Sequence, residues 1–124
     1  VVDEKYKYQC YLGQTSYALQ VTGFDYKKVF DMCALLPQNH RNTCNQSMGR
    51  DIANQMMHEA KRTKVGCEVA PTLNDVNNCM IGATKEIVSY YHSDKEALSF
   101  CSIWDKETRD LCSNITNSYY TLFK

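Results

Sequence analysis

The chain has 124 residues, of which 44% are hydrophobic and 23% charged, the balance of an ordinary globular domain and not of a disordered one. Basic and acidic residues number 14 each, so the formal net charge is zero, whereas nucleic-acid-binding domains usually have a basic excess. The longest basic run, Lys61-Arg62-Thr63-Lys64, is interpreted as a solvated helix end, and no apolar run approaches the roughly 18 residues that span a bilayer. We therefore expect one domain without nucleic acid as partner and without a membrane span.

Apolar spacing and helix-end signals predict an all-α chain. Gly23 followed by Phe24-Asp25 indicates that one helix stops and another begins, and Ser93 with Glu96 three residues later matches a capping box. Weak alternation of apolar and polar residues and the absence of Asn-Gly and Asp-Gly pairs argue against strands. In chain order, the predicted helices lie near 4–20, 25–36, 38–55, 57–70, 73–91, 94–103 and 106–122.

The seven cysteines recur in two interleaved series with almost constant spacing. Intervals of 34 residues separate the members of the first series, and those of the second are 34, 35 and 33. A period of this size is typical of stacked helix pairs, because each unit alone buries too little apolar surface. The first series is Cys33, Cys67 and Cys101, and the second is Cys10, Cys44, Cys79 and Cys112.

Each helix pair is predicted to be stapled by one disulfide. The first cysteine would lie near the end of one helix and the second about two turns into the next, because Pro37, Pro71 and Asp105 suit a helix start. Six cysteines allow 15 connectivities, and the sequence does not choose among them. A loop of this length would add about 3 kcal/mol by restricting the unfolded chain. The expected pairs are Cys33–Cys44, Cys67–Cys79 and Cys101–Cys112.

The spacing of the cysteines divides the predicted single domain, 1–124, into repeats. We expect a leading half-repeat at 1–23 and three stacked antiparallel helix pairs at 24–56, 57–92 and 93–124. The start at Val1 is interpreted as a mature end after processing, or as a cut within a longer repeat array.

This architecture resembles the disulfide-stapled, secreted versions of tetratricopeptide-like helical repeats. The resemblance rests on the period, the cysteine placement and the helix order over 24–124, and not on the signature residues of those repeats. It implies a protein-interaction scaffold and carries over no catalytic residues. Insect odorant-binding proteins are also small, secreted and helical, but their Cys-x-x-x-Cys pair is missing here.

The cysteine content predicts a secreted protein. Reducing compartments rarely hold so many cysteines unless these bind metal or perform redox chemistry, and no Cys-x-x-Cys spacing occurs. Two sequons, at Asn45 and Asn114, fit secretion and predict glycosylation. Cys10 is left over by the pairing, so a buried thiol or a disulfide between chains is expected there.

No set of residues indicates catalysis, a metal or a cofactor. His40, His58 and His92 are not spaced as ligands on one helix face, and no Gly-x-Ser-x-Gly elbow is present. Glu86, Glu96, Glu107 and the aspartates are interpreted as solvated helix faces and caps. We therefore do not expect an enzyme.

Aromatic and methionine residues give two binding hypotheses beside ordinary core packing. Tyrosine is favoured at interfaces because it buries area while keeping a polar tip. Methionines can line adaptable apolar pockets. The candidate interface residues are Tyr6, Tyr8, Tyr11, Tyr119, Tyr120 and Phe123, and the candidate pocket residues are Phe30, Met48, Ile52, Met56, Met80 and Trp104.

These observations favour a secreted, non-enzymatic binding or assembly protein that acts through a rigid helical surface. The partner would be another protein or further copies of the same chain. One alternative is a carrier of a small apolar ligand in a helical pocket. Another is a secreted effector or toxin-like protein that binds a host receptor.

Overall fold

A computed structural model describes residues 15–123, and every regular element in that range is helical. The all-α prediction is confirmed there, while the start of the helix predicted near 4–20 lies outside the described residues. The helices are α1 (Thr15–Val21), α2 (Tyr26–Ala34), α3 (Gln38–Gln55), α4 (Ala60–Cys67), α5 (Leu73–Tyr91), α6 (Lys95–Ser102) and α7 (Lys106–Tyr120), and a short 3-10 helix follows at Thr121–Phe123.

Local signals explain where α2 and α5 begin. Gly23 takes a left-handed conformation with φ of 69°, which ends α1, and Asp25 then accepts a hydrogen bond from the Lys28 amide. Thr72 caps α5 in the same way by accepting from the amide of Asp75. The stop and restart predicted at Gly23 is thus confirmed.

The start of α6 differs from the predicted capping box. The helix begins at Lys95, as expected, but the hydroxyl of Ser93 accepts a hydrogen bond from the Lys95 amide at 3.2 Å. One carboxylate oxygen of Glu96 is buried without a hydrogen-bond partner among the described residues. The sequence pattern therefore places this helix correctly without forming the reciprocal bonds that define the box.

Three disulfides each join the end of a short helix to the second turn of the long helix that follows. The Cα atoms of the paired cysteines are 5.4–5.6 Å apart, the separation usual for such bonds. The predicted connectivity is confirmed, whereas Cys10 lies outside the described residues. The bonds are Cys33–Cys44, Cys67–Cys79 and Cys101–Cys112.

The long helices α3, α5 and α7 run parallel to one another. Positions further along one of them contact positions further along the next. The short helices α4 and α6 return the chain from the end of one long helix towards the start of the next. Whether the three pairs are equivalent repeats stays a prediction from cysteine spacing. The ordered contacts include Arg41–Asp75 and Gln46–Asn78 between α3 and α5, and Asn77–Thr108 and Ser89–Tyr119 between α5 and α7.

Two glycines set the distance between α3 and α5. A Cβ atom at Gly49 would lie 1.8 Å from the carbonyl oxygen of Cys79, and one at Gly82 would lie 1.8 Å from that of Gln46. Since no side-chain rotation can relieve a clash with backbone, the two helices meet at this spacing only because both positions lack a side chain.

Gly49→Ala should lower the free energy of unfolding by at least about 3 kcal/mol, because the added methyl group forces two helix backbones apart. Gly23→Ala is the matched control, since no atom lies within 4 Å of its added Cβ and only its positive φ is unfavourable. That backbone strain should cost about 1 kcal/mol. Urea unfolding followed by circular dichroism measures both losses, and equal losses would contradict the close approach at Gly49.

Candidate functional site

An ion pair with a buried carboxylate ties the first turns of α3 to the start of α5. Arg41 donates to both carboxylate oxygens of Asp75, with nitrogen–oxygen distances of 2.9 and 2.5 Å. Thr72 and Asn45 donate to the same carboxylate at 2.8 and 2.7 Å. The side chain of Asp75 is 1% exposed, so the interpretation of the aspartates as solvated is wrong for this residue.

The surroundings of Asp75 keep it charged. Burial acts to raise the pKa of its carboxyl, because the charged form loses water, but the hydrogen bond from Arg41 opposes this. Hydrogen bonds from Thr72 and Asn45 and the charge of Arg41 act in the same direction, and the pKa lies below its usual value of 3.8. With each oxygen already bonded within the fold, the carboxylate holds helices together and offers no reactive group.

The two predicted glycosylation sites differ in accessibility. Asn45 is 1% exposed, and the side-chain nitrogen to which a glycan would attach donates to Asp75. A glycan at Asn45 is therefore incompatible with this fold, which corrects the prediction for that sequon. Asn114 is exposed on α7 and leaves room for a glycan.

Two neighbouring groups of aromatic rings form a surface at the ends of α5 and α7 and in the loop after α3. The ring of His58 stacks on that of Tyr90 with centroids 4.0 Å apart, and Tyr90 meets Tyr91 edge-on at 4.9 Å. On the neighbouring side, the ring of Phe123 lies 5.4 Å from Tyr119 and 5.8 Å from His92. We call this surface the aromatic edge; it consists of His58, Tyr90, Tyr91, His92, Tyr119 and Phe123.

Several rings of the aromatic edge are exposed, and they surround a His58 ring whose side chain is only 8% exposed. Tyr90 is 60% exposed, and the chain neighbours Met57 and Leu122 are 81% and 75% exposed. Beneath it, a ring nitrogen of His58 lies 3.1 Å from a carboxylate oxygen of Glu86, which fastens the loop after α3 to α5. The surface therefore presents large apolar groups whose positions are set by packing.

The predicted interface residues fall in different places. Tyr119, within the aromatic edge, and Tyr120 pack partly against the core, and Phe123 is exposed on the edge. Met57 and Leu122 were missed, because a single exposed apolar residue in a sequence gives no signal that distinguishes it from a core residue. Tyr6, Tyr8 and Tyr11 lie outside the described residues.

An apolar groove lies beside α4, on a different part of the surface. Its volume is about 310 Å³, and its lining side chains come from α2, from the end of α3 and from α4 with the residues just after it. We call it the α4 groove; its lining residues are Tyr26, Met56, Lys61, Arg62, Val65, Gly66 and Val69.

A polar cleft of about 300 Å³ runs between α3 and α5. Lys85 lies over the ring of Tyr119, 5.6 Å from its centroid, and Arg50 pairs with Asp51 at 3.2 Å, so neither cation points to a missing partner. Arg50, Lys85 and Glu86 line the cleft together with Thr43, Gln46, Ser47, Gly82, Ser89 and Tyr119.

The six predicted pocket residues do not share one of these depressions. Trp104 lines a separate depression of about 280 Å³, where Lys64 lies 5.2 Å from its ring centroid, and Met56 lines the α4 groove. The other four are 0–1% exposed and fill the core between the helices, because that is where their apolar volume excludes most water. These four are Phe30, Met48, Ile52 and Met80.

Neither a metal centre nor a membrane span is found in the described range. Within residues 15–123, no three histidine, cysteine, aspartate or glutamate side chains come together as a metal site. No helix in the same range combines the length and the apolar character needed to cross a bilayer. Protein-family models, curated proteins and solved structures were compared with the chain, and none matches it.

Asp75→Asn should lower the free energy of unfolding at pH 7 by about 3 kcal/mol, because Arg41 and the buried side chains lose their charged partner. A folded-state pKa below the unfolded one gives stability that is complete above the unfolded value of about 4 and is lost as the pH falls through the folded value. The deficit of the variant should therefore shrink below about pH 4.

Urea unfolding at pH 7, 5 and 3 measures this difference. Lys27→Met is the control, because it removes an exposed ion pair with Asp31 and should leave stability unchanged at each pH. An Asp75→Asn deficit that stays constant down to pH 3 would show that the charge of Asp75 contributes nothing.

Expression in a glycosylating secretory host should give folded protein with at most one N-linked glycan. Removal by an N-glycosidase, read by intact mass, should show a single glycan that disappears in Asn114→Gln. A folded, disulfide-intact species that retains a glycan in Asn114→Gln would place it at Asn45 and contradict the burial of that residue.

Proposed function

We propose that this chain is a secreted, non-enzymatic binding or assembly protein that docks a protein partner on the aromatic edge. The observation that supports this most directly is the presence of two neighbouring groups of contacting rings at the ends of α5 and α7, in which Tyr90, Tyr91 and Phe123 are exposed. Contiguous apolar patches on a soluble domain usually mark interaction sites, and tyrosine is enriched among the residues that dominate binding energy.

The scaffold beneath the edge suits this role. Association costs less free energy when side chains and loops are already ordered before binding. Three disulfides and the glycine contact between α3 and α5 restrict the helices, and the contact of His58 with Glu86 fixes the loop. The edge therefore presents its rings without a large ordering cost.

We propose a second copy of the chain as the partner of the aromatic edge. In a two-fold dimer the same surface of both copies forms the interface, so that surface must be complementary to itself. Tyrosine hydroxyls both donate and accept hydrogen bonds, and the rings pack edge-on or offset against one another. The formal net charge of zero leaves no long-range repulsion between copies.

Extracellular location is supported by two features of the chain. Three disulfides in so small a helical domain are typical of oxidising compartments. The exposed sequon at Asn114 is compatible with passage through a glycosylating pathway.

Sedimentation equilibrium tests self-association through the aromatic edge. The native chain should dimerise as its concentration rises, and the double variant Tyr90→Ser, Tyr91→Ser should weaken the dimer at least tenfold by removing the central rings. The matched control is Tyr17→Ser, Val21→Ser, which removes two side chains that are 62% and 66% exposed on α1.

Repeating the measurement under mild reduction separates this interface from a disulfide through Cys10. A dimer that is lost on reduction and unaffected by the tyrosine variant would contradict the proposed interface. A monomer at every concentration would contradict self-association.

A further inference from the structure

The α4 groove combines apolar walls with unpaired positive charge, and the aromatic edge does not include it. Val65 lies in α4 and Val69 in the turn just after it; they are 63% and 41% exposed, and both line the groove. Met56 is half-buried and continues the apolar wall at the end of α3. Val65 and Val69 belong neither to the core nor to the proposed dimer surface, whereas Met56 also packs against the core.

A glycine creates the floor of the groove. A Cβ atom at Gly66 would lie 2.6 Å from a methyl carbon of Ile52 and 3.1 Å from the ring of Tyr26. Because that side chain is missing, the Tyr26 ring packs close to α4 and its hydroxyl donates to the side chain of Gln55. The result is a trough with an aromatic and aliphatic surface.

Two cations flank the trough at the start of α4. Lys61 and Arg62 are exposed and line the groove, yet neither forms an ion pair within residues 15–123. Glu59, the nearest carboxylate along the chain, accepts hydrogen bonds from their backbone amides at 3.3 and 2.7 Å. By contrast, Lys64 on another side of the helix pairs with Glu68 at 2.9 Å.

The positive charge of Arg62 acts on Tyr26, which lines the groove. Burial raises the pKa of the Tyr26 hydroxyl, and the positive charge of Arg62 acts in the opposite direction. Cations in the first turn of a helix oppose its dipole, so their position there is not explained by helix stability. An anion in the groove would offset that unfavourable placement.

We propose that the α4 groove binds a free single-chain amphiphile with an anionic head, of the medium-chain fatty-acid class. The carboxylate lies between Lys61 and Arg62, and the alkyl chain lies against Met56, Val65 and Val69. The volume of about 310 Å³ is at the lower end of the range for ligand pockets, which fits one chain and not a multi-chain lipid. This activity goes beyond the proposed protein binding and uses a separate surface.

Other occupants fit the observations less well. Recognition of anionic membranes usually takes a cluster of four to eight basic residues, whereas this groove has two. A bound helix presents apolar anchors over two or more turns, whereas the exposed apolar wall of this groove is limited to Val65 and Val69, within five residues. A short alkyl chain with one charged end matches both the volume and the charge of the groove.

Titration of the native chain with decanoate, kept below the concentration at which it forms micelles, tests the proposal by ¹H–¹⁵N NMR. Decanoate should bind saturably, with the largest shifts in amides 56–69. Lys61→Gln, Arg62→Gln should weaken decanoate at least tenfold while leaving the binding of decanol, which has the same chain without the charge, unchanged. Val65→Asn, Val69→Asn should weaken both ligands.

The matched control is Lys106→Gln, Arg109→Gln, which removes the same charge from exposed positions on α7 and should leave decanoate binding unchanged. Equal weakening by both charge variants, shifts centred away from 56–69, or no saturable binding would each overturn the proposal. The proposal would also be overturned if anionic phospholipid vesicles, or an acidic amphipathic peptide, displaced decanoate and bound this groove at least tenfold more tightly than decanoate does. None of these variants alters the aromatic edge, so their dimerisation should stay native. A negative result with decanoate would therefore not bear on the proposed protein binding, which sedimentation equilibrium tests separately.

Discussion

The close approach of α3 and α5 at Gly49 and Gly82 is the constraint on which the rest of the structure depends. Because each glycine lies against a backbone carbonyl of the opposite helix, the two longest helices are fixed in register as well as in distance. That register brings Arg41 to Asp75 at one end of the pair. It brings the loop after α3 to Glu86 and Tyr90 at the other.

The remaining interactions act at the two ends of this contact. Towards the helix starts, the carboxylate of Asp75 is held by Arg41, Thr72 and Asn45, and a disulfide lies one or two turns along each long helix. Towards the helix ends there is no disulfide among residues 15–123, and aromatic side chains take over. The molecule thus has one stapled, polar edge and one aromatic edge with exposed rings, which is why we propose binding at the second.

The sequence predicted what depends on local spacing. Helix positions followed from apolar periodicity and end signals, and the disulfides followed from cysteines placed on either side of a helix start. It did not predict the burial of Asp75 or Asn45, because their partners lie on another helix about 30 residues away. Nor could it separate Met48 and Met80 in the core from Met56 in the α4 groove, because all three have the same chemistry and only packing distinguishes them.

Amide hydrogen exchange, compared between dilute and concentrated native protein, tests most directly whether a rigid scaffold presents the aromatic edge to a second copy. The account predicts added protection at high concentration in amides 55–59, 89–93 and 119–123, with the starts of α3, α5 and α7 unchanged. Protection confined to the starts of those helices, or exchange that does not depend on concentration, would contradict it.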